Sequence, residues 1–424
     1  MTDRSIDRRV FVKAGGLALV SLGIDPIFLT RAAYAVRRPD GPANAKKTLI
    51  CVFQRGAVDG LNMIVPHGDP SYYQDRPGIA IGRPGKPDGA LDLDGYFGLH
   101  PSLAPLLPYY RDGSMAIVHA VGSPYPSRSH FDAQGYMESG TPGVKSTRDG
   151  WLNRYMAHER DHEDTPFRGV AMGAQLPHAL RGSSPALAID NLQTFGIRTR
   201  PNTQDRVASA FEELYRGSAS GLVASSAEEG FEAIRMLKTA NPSAFEPENG
   251  ARYPTSAFGR QMRQLAQLVK AGIGLEIGFA DVGGWDTHVN QGAGQGQLAG
   301  RLRDFGGTIA AFAQDLGPRM ADVVVLTMSE FGRTVSENGN RGTDHGRATA
   351  MLVLGGNANG GKVHGRWPTL APEKREDGRD LAVTTDFRDL FAEVLVGHLG
   401  SADLSAVFPG YTSDPSRWVG AMRR

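Results

Sequence analysis

Short apolar runs, each bounded by glycine and polar turns, recur along the chain and set its architecture. Residues 47–53 (KTLICVF) are β-formers with no polar alternate, the pattern of a strand covered on both faces. Residues 115–121 (MAIVHAV), 322–327 (DVVVLT) and 348–354 (ATAMLVL) read the same way, and 186–189 and 275–279 are shorter candidates. Helical periodicity runs through 203–240, 256–272, 297–316 and 387–399. A turn at 124–129 leads into a helix over 131–138, while 82–95 and 355–380 are rich in loops. Strands alternating with helices predict an α/β fold: a mostly parallel β-sheet with helices on both faces. No internal repeat or long linker breaks the pattern, so residues 36–424 are expected to form a single domain.

The first 35 residues depart from it. Arg8 and Arg9, the aromatic Phe11 and the closing Lys13 resemble a twin-arginine motif. The apolar stretch 14–24 is too short to span a bilayer, and Ala33-Tyr34-Ala35 offers a small-x-small cleavage site. Residues 1–35 therefore read as a twin-arginine signal peptide. The expectation is a mature chain passed to the twin-arginine translocation machinery and delivered to the periplasm or beyond. No later run reaches about 18 apolar residues, so no stable membrane span is expected in the mature chain. Lys plus Arg is 46 against 45 for Asp plus Glu, a balance that gives nucleic acid no electrostatic reason to bind. Cys51 is the sole cysteine, which excludes an intramolecular disulfide and, with no haem motif, argues against a redox enzyme. Twin-arginine substrates travel folded, often with a cofactor already loaded, and that directs attention to metal ligands.

In parallel α/β folds, ligands sit beyond the carboxyl ends of the strands. Asp59 follows the first strand. Ser127, Arg128, Ser129 and His130 follow MAIVHAV. Asp286 and His288 lie beyond 275–279, Ser329, Glu330 and Arg333 follow DVVVLT, and Asp344 and His345 precede ATAMLVL. Mixed carboxylate and imidazole donors suit a divalent metal, zinc before calcium or magnesium. Each residue also has a local reading. Asp59 precedes a glycine and can cap a turn, and Ser129 can cap the helix that follows it.

The segments RGAVDGLN (55–62), SRSHFDAQ (127–134), GWDTH (284–288), SEFGRT (329–334) and GTDHG (342–346) resemble, in order, the motifs of the family catalogued as domain of unknown function 1501. That family is placed with the alkaline phosphatase and sulfatase superfamily. The resemblance implies an alkaline-phosphatase-like fold and a metal-dependent hydrolase of small-molecule or polymer-linked phosphate or sulfate esters. It implies one or two divalent ions held by Asp59, Asp286, His288, Glu330, Asp344 and His345. Ser129 would be the nucleophile, with Ser127 next in line, and Arg128 and Arg333 would bind the substrate anion. Phe331 stands where the superfamily pattern has a metal-binding His. That departure leaves open an exported binding or scaffold protein with a degenerate site.

Overall fold

The computed structural model describes residues 47–159, 165–195, 221–401 and 403–423. The proposed leader and the first part of the helix expected at 203–240 lie outside the described residues.

Strand β1 (Thr48–Arg55) runs through the middle of the main sheet. Its alternation divides the core in two. Ile50 and Val52 face one side, with Leu265 and Phe305 of helices, while Leu49, Cys51 and Phe53 face the other, with Trp151 and Phe391. A strand buried on both faces has no position for a polar side chain until it reaches the sheet edge. Cys51 is one of these core residues, and burial pushes its thiol pKa well up.

The other strands of the sheet are β2 (Met115–Gly122), β3 (Gly169–Met172), β4 (Leu187–Ile189), β5 (Ile277–Gly283), β6 (Val323–Met328), β7 (Thr349–Gly355), β8 (Val363–His364) and β9 (Thr385–Asp386). Their order is β8-β2-β7-β6-β1-β5-β3-β4, with β9 also paired to β2. β1, β3, β4, β5 and β6 run parallel, whereas β7 is antiparallel to both its neighbours, β2 and β6. The helices that frame the sheet and its loops include α1 (Gly60–Met63), α2 (His130–Ser139), α3 (Trp151–His158), α4 (Gly221–Ala240), α5 (Ala257–Ala271), α6 (Gln297–Leu316) and α7 (Phe387–Val394). α5 and α6 cover one face of the sheet, and α3 and α7 the other. Among the described residues, no helix is long and apolar enough to cross a membrane.

Local pattern and structure part in three places. β5 extends to Gly283, beyond the apolar run, because parallel pairing continues from Phe53↔Asp281 to Arg55↔Gly283, and Arg55 holds Asp281 at 2.7 Å. β3, only four residues long, has no periodic signal and exists by pairing with β4 and β5. The helix expected at 387–399 is α-helical only to Val394, after which Leu395–Leu399 widens into a π-helical turn closed by Gly400.

The reversal of β7 matters most for function. In a wholly parallel sheet, residues preceding a strand lie at the opposite end from residues following one. Because β7 runs backwards, Asp344 and His345, just before it, arrive at the same sheet end as Asp286 and Glu330, which follow β5 and β6. Two glycines lock that approach. Gly332 donates its N–H to Arg347 O and accepts from Gly346 N, both at 2.8 Å, beside an antiparallel bridge between Arg333 and His345. A Cβ on Gly332 would run into the Ala348 carbonyl. Gly332→Ala is therefore expected to destabilise the fold by about 3 kcal/mol, read as a lowered urea midpoint. An unchanged midpoint would mean that this approach is not close-packed.

Candidate metal centre

At the end of β1 the chain turns sharply through Gly56 (φ 115°) and Ala57 (φ 59°). A Cβ on Gly56 would sit 3.0 Å from the backbone nitrogen of Asp286, so glycine lets the loops after β1 and β5 touch. Four side chains from three further loops then converge. His130 Nε2 and His345 Nε2 lie 3.0 Å apart, as do His288 Nε2 and His345 Nε2. Asp286 Oδ1 is 3.0 Å from His288 Nε2, 3.2 Å from His345 Nε2 and 3.6 Å from His130 Nε2. The ligand atoms of His130, Asp286 and His345 all fall within 4.8 Å of one another.

Proton bookkeeping decides what this arrangement is. His345 Nδ1 faces the carbonyl of Arg128 at 2.9 Å, and a carbonyl can only accept. His288 Nδ1 faces Asp344 Oδ1 at 3.0 Å, and His130 Nδ1 faces Glu330 Oε1 at 2.7 Å. Each ring can therefore donate from Nδ1, which turns its Nε2 toward the other two and toward a carboxylate oxygen. A neutral ring held this way offers its Nε2 lone pair to a cation placed between them. Metal-ligating histidines show the same arrangement, their far N–H donated to a carboxylate or backbone carbonyl.

The surroundings hold the charges in place. Partial burial disfavours the ionised form of Asp286, but the Arg333 guanidinium at 2.6 Å, with His288 and His345 adding to it, holds its pKa down to about 2. Burial likewise works against Glu330, and it is outweighed by bonds from His130, Gln134 and Gly56 N, so this carboxylate also stays below its usual range. The hydrogen bond to Glu330 raises the pKa of His130, while burial lowers that of His345. Phe331, buried, stacks on His130 with ring centroids 4.9 Å apart and lies 5.1 Å from His345. It forms the apolar wall of the cluster. The outer side is open, with the Asp286 side chain 44 % and the His288 side chain 38 % exposed.

Of the six proposed metal ligands, Asp286, His288 and His345 come together at this point. Glu330 and Asp344 stand one bond behind it, each holding a histidine. Asp59 does not reach it. Its fully buried carboxylate accepts from Arg76 at 2.6 Å, Gln291 at 2.7 Å and the N–H of Asn62 in α1, and no hydrogen bond or ion pair joins it to the cluster. Ser129 is exposed and caps α2, accepting from Asp132 N at 3.4 Å; no hydrogen bond joins it to the four converging side chains. Arg128 is paired with Asp377 and Asp380, and Arg333 is buried on Asp286, so neither guanidinium is free for a substrate anion. The ligand that motif comparison missed is His130, the first residue of α2. Its signal was its place in a strand-end loop beside Ser129, where attention went to the hydroxyl.

Fold and site together define an α/β protein with a histidine–aspartate cluster at its strand ends that could hold a metal ion. The chain belongs to the family described as Protein of unknown function (DUF1501), which it matches over residues 97–423. No match was found among curated protein sequences. Among solved structures, the chain is similar to the sulfatase PsFucS1 from Pseudoalteromonas sp., at 13 % identity and TM-score 0.39, over 90 % of this chain and 74 % of that one. It is also similar to the zinc complex of the C-terminal periplasmic domain of EcEptC from Escherichia coli, at 10 % identity and TM-score 0.37, over 88 % and 90 %. A third likeness is to the phosphonate monoester hydrolase of Agrobacterium radiobacter, at 10 % identity and TM-score 0.31, over 88 % and 79 %. Overlap at this level defines neither activity nor substrate.

The placement of Asp59 yields a test. Asp59→Asn leaves Arg76 as a buried, uncompensated charge and is expected to cost about 3–5 kcal/mol of stability, while divalent metal content stays at the wild-type level. Loss of metal in a still-folded variant would return Asp59 to the ligand set.

Proposed function

We propose that the chain is an exported, metal-dependent hydrolase of phosphate or sulfate esters, holding one divalent ion, zinc, between His130, His288, His345 and Asp286. The observation that carries this reading is the convergence of three histidine Nε2 atoms and one carboxylate oxygen. Three imidazoles and a carboxylate suit zinc better than an all-oxygen cation. An imidazole nitrogen has one lone pair, so the sets that share His345 Nε2 serve a single ion. Glu330, Asp344 and the Arg128 carbonyl fix the ring orientations and hold a proton on each Nδ1, so that Nε2 is the nitrogen turned to the metal.

Bound there, a divalent ion supplies Lewis-acid charge to the oxygens of a phosphoryl or sulfuryl group. The remaining work falls to the chain. The open side lets an ester approach from solvent, and the Phe331 wall keeps the inner side dry. Ser129 is the nucleophile in this reading. It sits one residue before His130 at the N-terminus of α2, where backbone N–H groups and the helix dipole favour an anion. Its weak cap bond leaves the hydroxyl free to turn. The Phe331 departure does not by itself empty the site, because His130 supplies an imidazole from another loop.

Elemental analysis of the mature protein is expected to show one zinc per chain. His345→Ala should remove it. His130→Ala and His288→Ala should each weaken it at least tenfold, and Glu330→Gln by about 10–100-fold. Protons compete with the metal for the Nε2 lone pairs. Affinity should therefore fall as pH drops through the histidine range near about 6.5. Wild type lacking stoichiometric metal at neutral pH would end the proposal.

For catalysis, Ser129→Ala is expected to lower hydrolysis of an aryl phosphate or sulfate at least a hundredfold with zinc retained, whereas loss of a mere cap costs about 0.5–2 kcal/mol of stability and leaves turnover largely intact. Full activity in that variant would move the role to Ser127. A zinc-loaded wild type inert across a broad ester panel would instead favour a binding protein.

A further inference from the structure

Large apolar side chains rarely stay in water beside a polar centre without cost. Among the described residues, four do so to a large extent: Phe131 (94 % exposed), Val289 (51 %), Val144 (48 %) and Tyr125 (46 %). Tyr125 and Val144 sit on neighbouring loops, Tyr125 packing edge-on against Tyr136 of α2 and lying close over Gly143. The two most exposed are each the immediate successor of a ligand: Phe131 follows His130, and Val289 follows His288. Phe131 is the second residue of α2. Helical Cα–Cβ bonds tilt toward the helix N-terminus, which is the end where His130 enters the metal centre. The inward face of α2 is made by His130, Ala133, Gln134 and Met137, so Phe131 adds nothing to the core.

One exposed phenylalanine is ordinary. Two exposed apolar residues flanking one metal centre from separate loops are less so, and the charges around them point the same way. Arg333 is taken up by Asp286, Arg128 by Asp377 and Asp380, and Lys145 by Asp132. Arg379 is held against Asp380. Asp344 and Asp377 present half-exposed carboxylates to the same rim. In the loops that carry the four ligands, Arg341 alone among the described residues forms no ion pair. Apart from Arg341, a highly charged leaving group, such as an oligosulfated sugar or a nucleoside polyphosphate, would meet in these loops carboxylates and cations already held in ion pairs. An apolar group would meet Phe131 and Val289.

We propose that the metal centre takes esters whose non-reacting part is an aryl or alkyl group, and that Phe131 and Val289 are the residues that select it. This rests on the ester-hydrolase reading above, which places substrate oxygens at the metal.

The test uses non-hydrolysable probes and needs no turnover. Binding of methyl-, phenyl- and octylphosphonate to zinc-loaded mature protein is measured by calorimetry. Octylphosphonate is expected to bind at least tenfold more tightly than methylphosphonate. In the double variant Phe131→Ser/Val289→Ser, shown to hold one zinc and to melt as wild type, that ratio should fall below threefold. If methylphosphonate binds and chain length makes no difference, the selectivity proposal fails while the ester reading stands. If methylphosphonate does not bind to zinc-loaded protein, the ester reading fails and takes this proposal with it. A methylenebisphosphonate that outbinds octylphosphonate overturns it as well. So does a double variant that keeps the wild-type ratio but no longer binds phosphatidylcholine vesicles, which would assign the two side chains to a lipid surface.

Discussion

The buried guanidinium of Arg333 is the fastening on which the metal centre depends. It donates to the carbonyls of Gly56 and Ala57 after β1, of Trp285 after β5 and of Thr343 before β7, and it ends on the carboxylate of Asp286. One side chain thus ties together three loops of the same sheet end and neutralises the Asp286 carboxylate. A fully buried arginine carries a large desolvation penalty, which only near-complete satisfaction of its donors offsets. Here all three guanidinium nitrogens donate to the loops or to Asp286, so that Arg333 braces the cluster from behind.

A second layer does for the imidazoles what Arg333 does for Asp286. Glu330 takes the Nδ1 proton of His130, Asp344 that of His288, and the Arg128 carbonyl that of His345. The carboxylates reach the centre through a ring rather than directly. Their negative charge still counts, because each raises the basicity of the nitrogen facing the cluster. Glu330 is anchored in turn by Gly56 N, Gln134 and Ser329, so the layer is continuous with the core of the sheet. Asp59 sits apart, in a buried network with Arg76, Asn62 and Gln291 that closes the base of the loop after β1.

Much of this was legible in the chain itself. The buried strands announced themselves because a strand covered on both faces must be apolar along its middle, and 49–53, 323–326 and 350–354 are. The loops holding the ligands could be picked out because polar residues at strand ends have no packing reason to recur as Asp, His and Glu. The family, too, was readable from the order of five short motifs. Residue type and spacing carried that much because they act locally.

Which carboxylate touches the centre and which stands behind it was decided only by the tertiary structure. Asp59, Asp286, Glu330 and Asp344 are alike in sequence, each an acid in a glycine-punctuated loop. They differ in what surrounds them: Arg76 and Gln291 for Asp59, an imidazole Nδ1 for Glu330 and Asp344, and for Asp286 the Arg333 guanidinium together with an imidazole Nε2. His130 was passed over for the same reason, since nothing local distinguishes a helix-opening histidine that points inward from one that points to solvent. The direction of β7, which brings His345 to the right end of the sheet, depends on pairing with β2 and β6, strands more than 200 and more than 20 residues away. Hydrophobic pattern and local propensity act over a few residues. Ligand geometry is set by contacts between segments that only the folded sheet brings together.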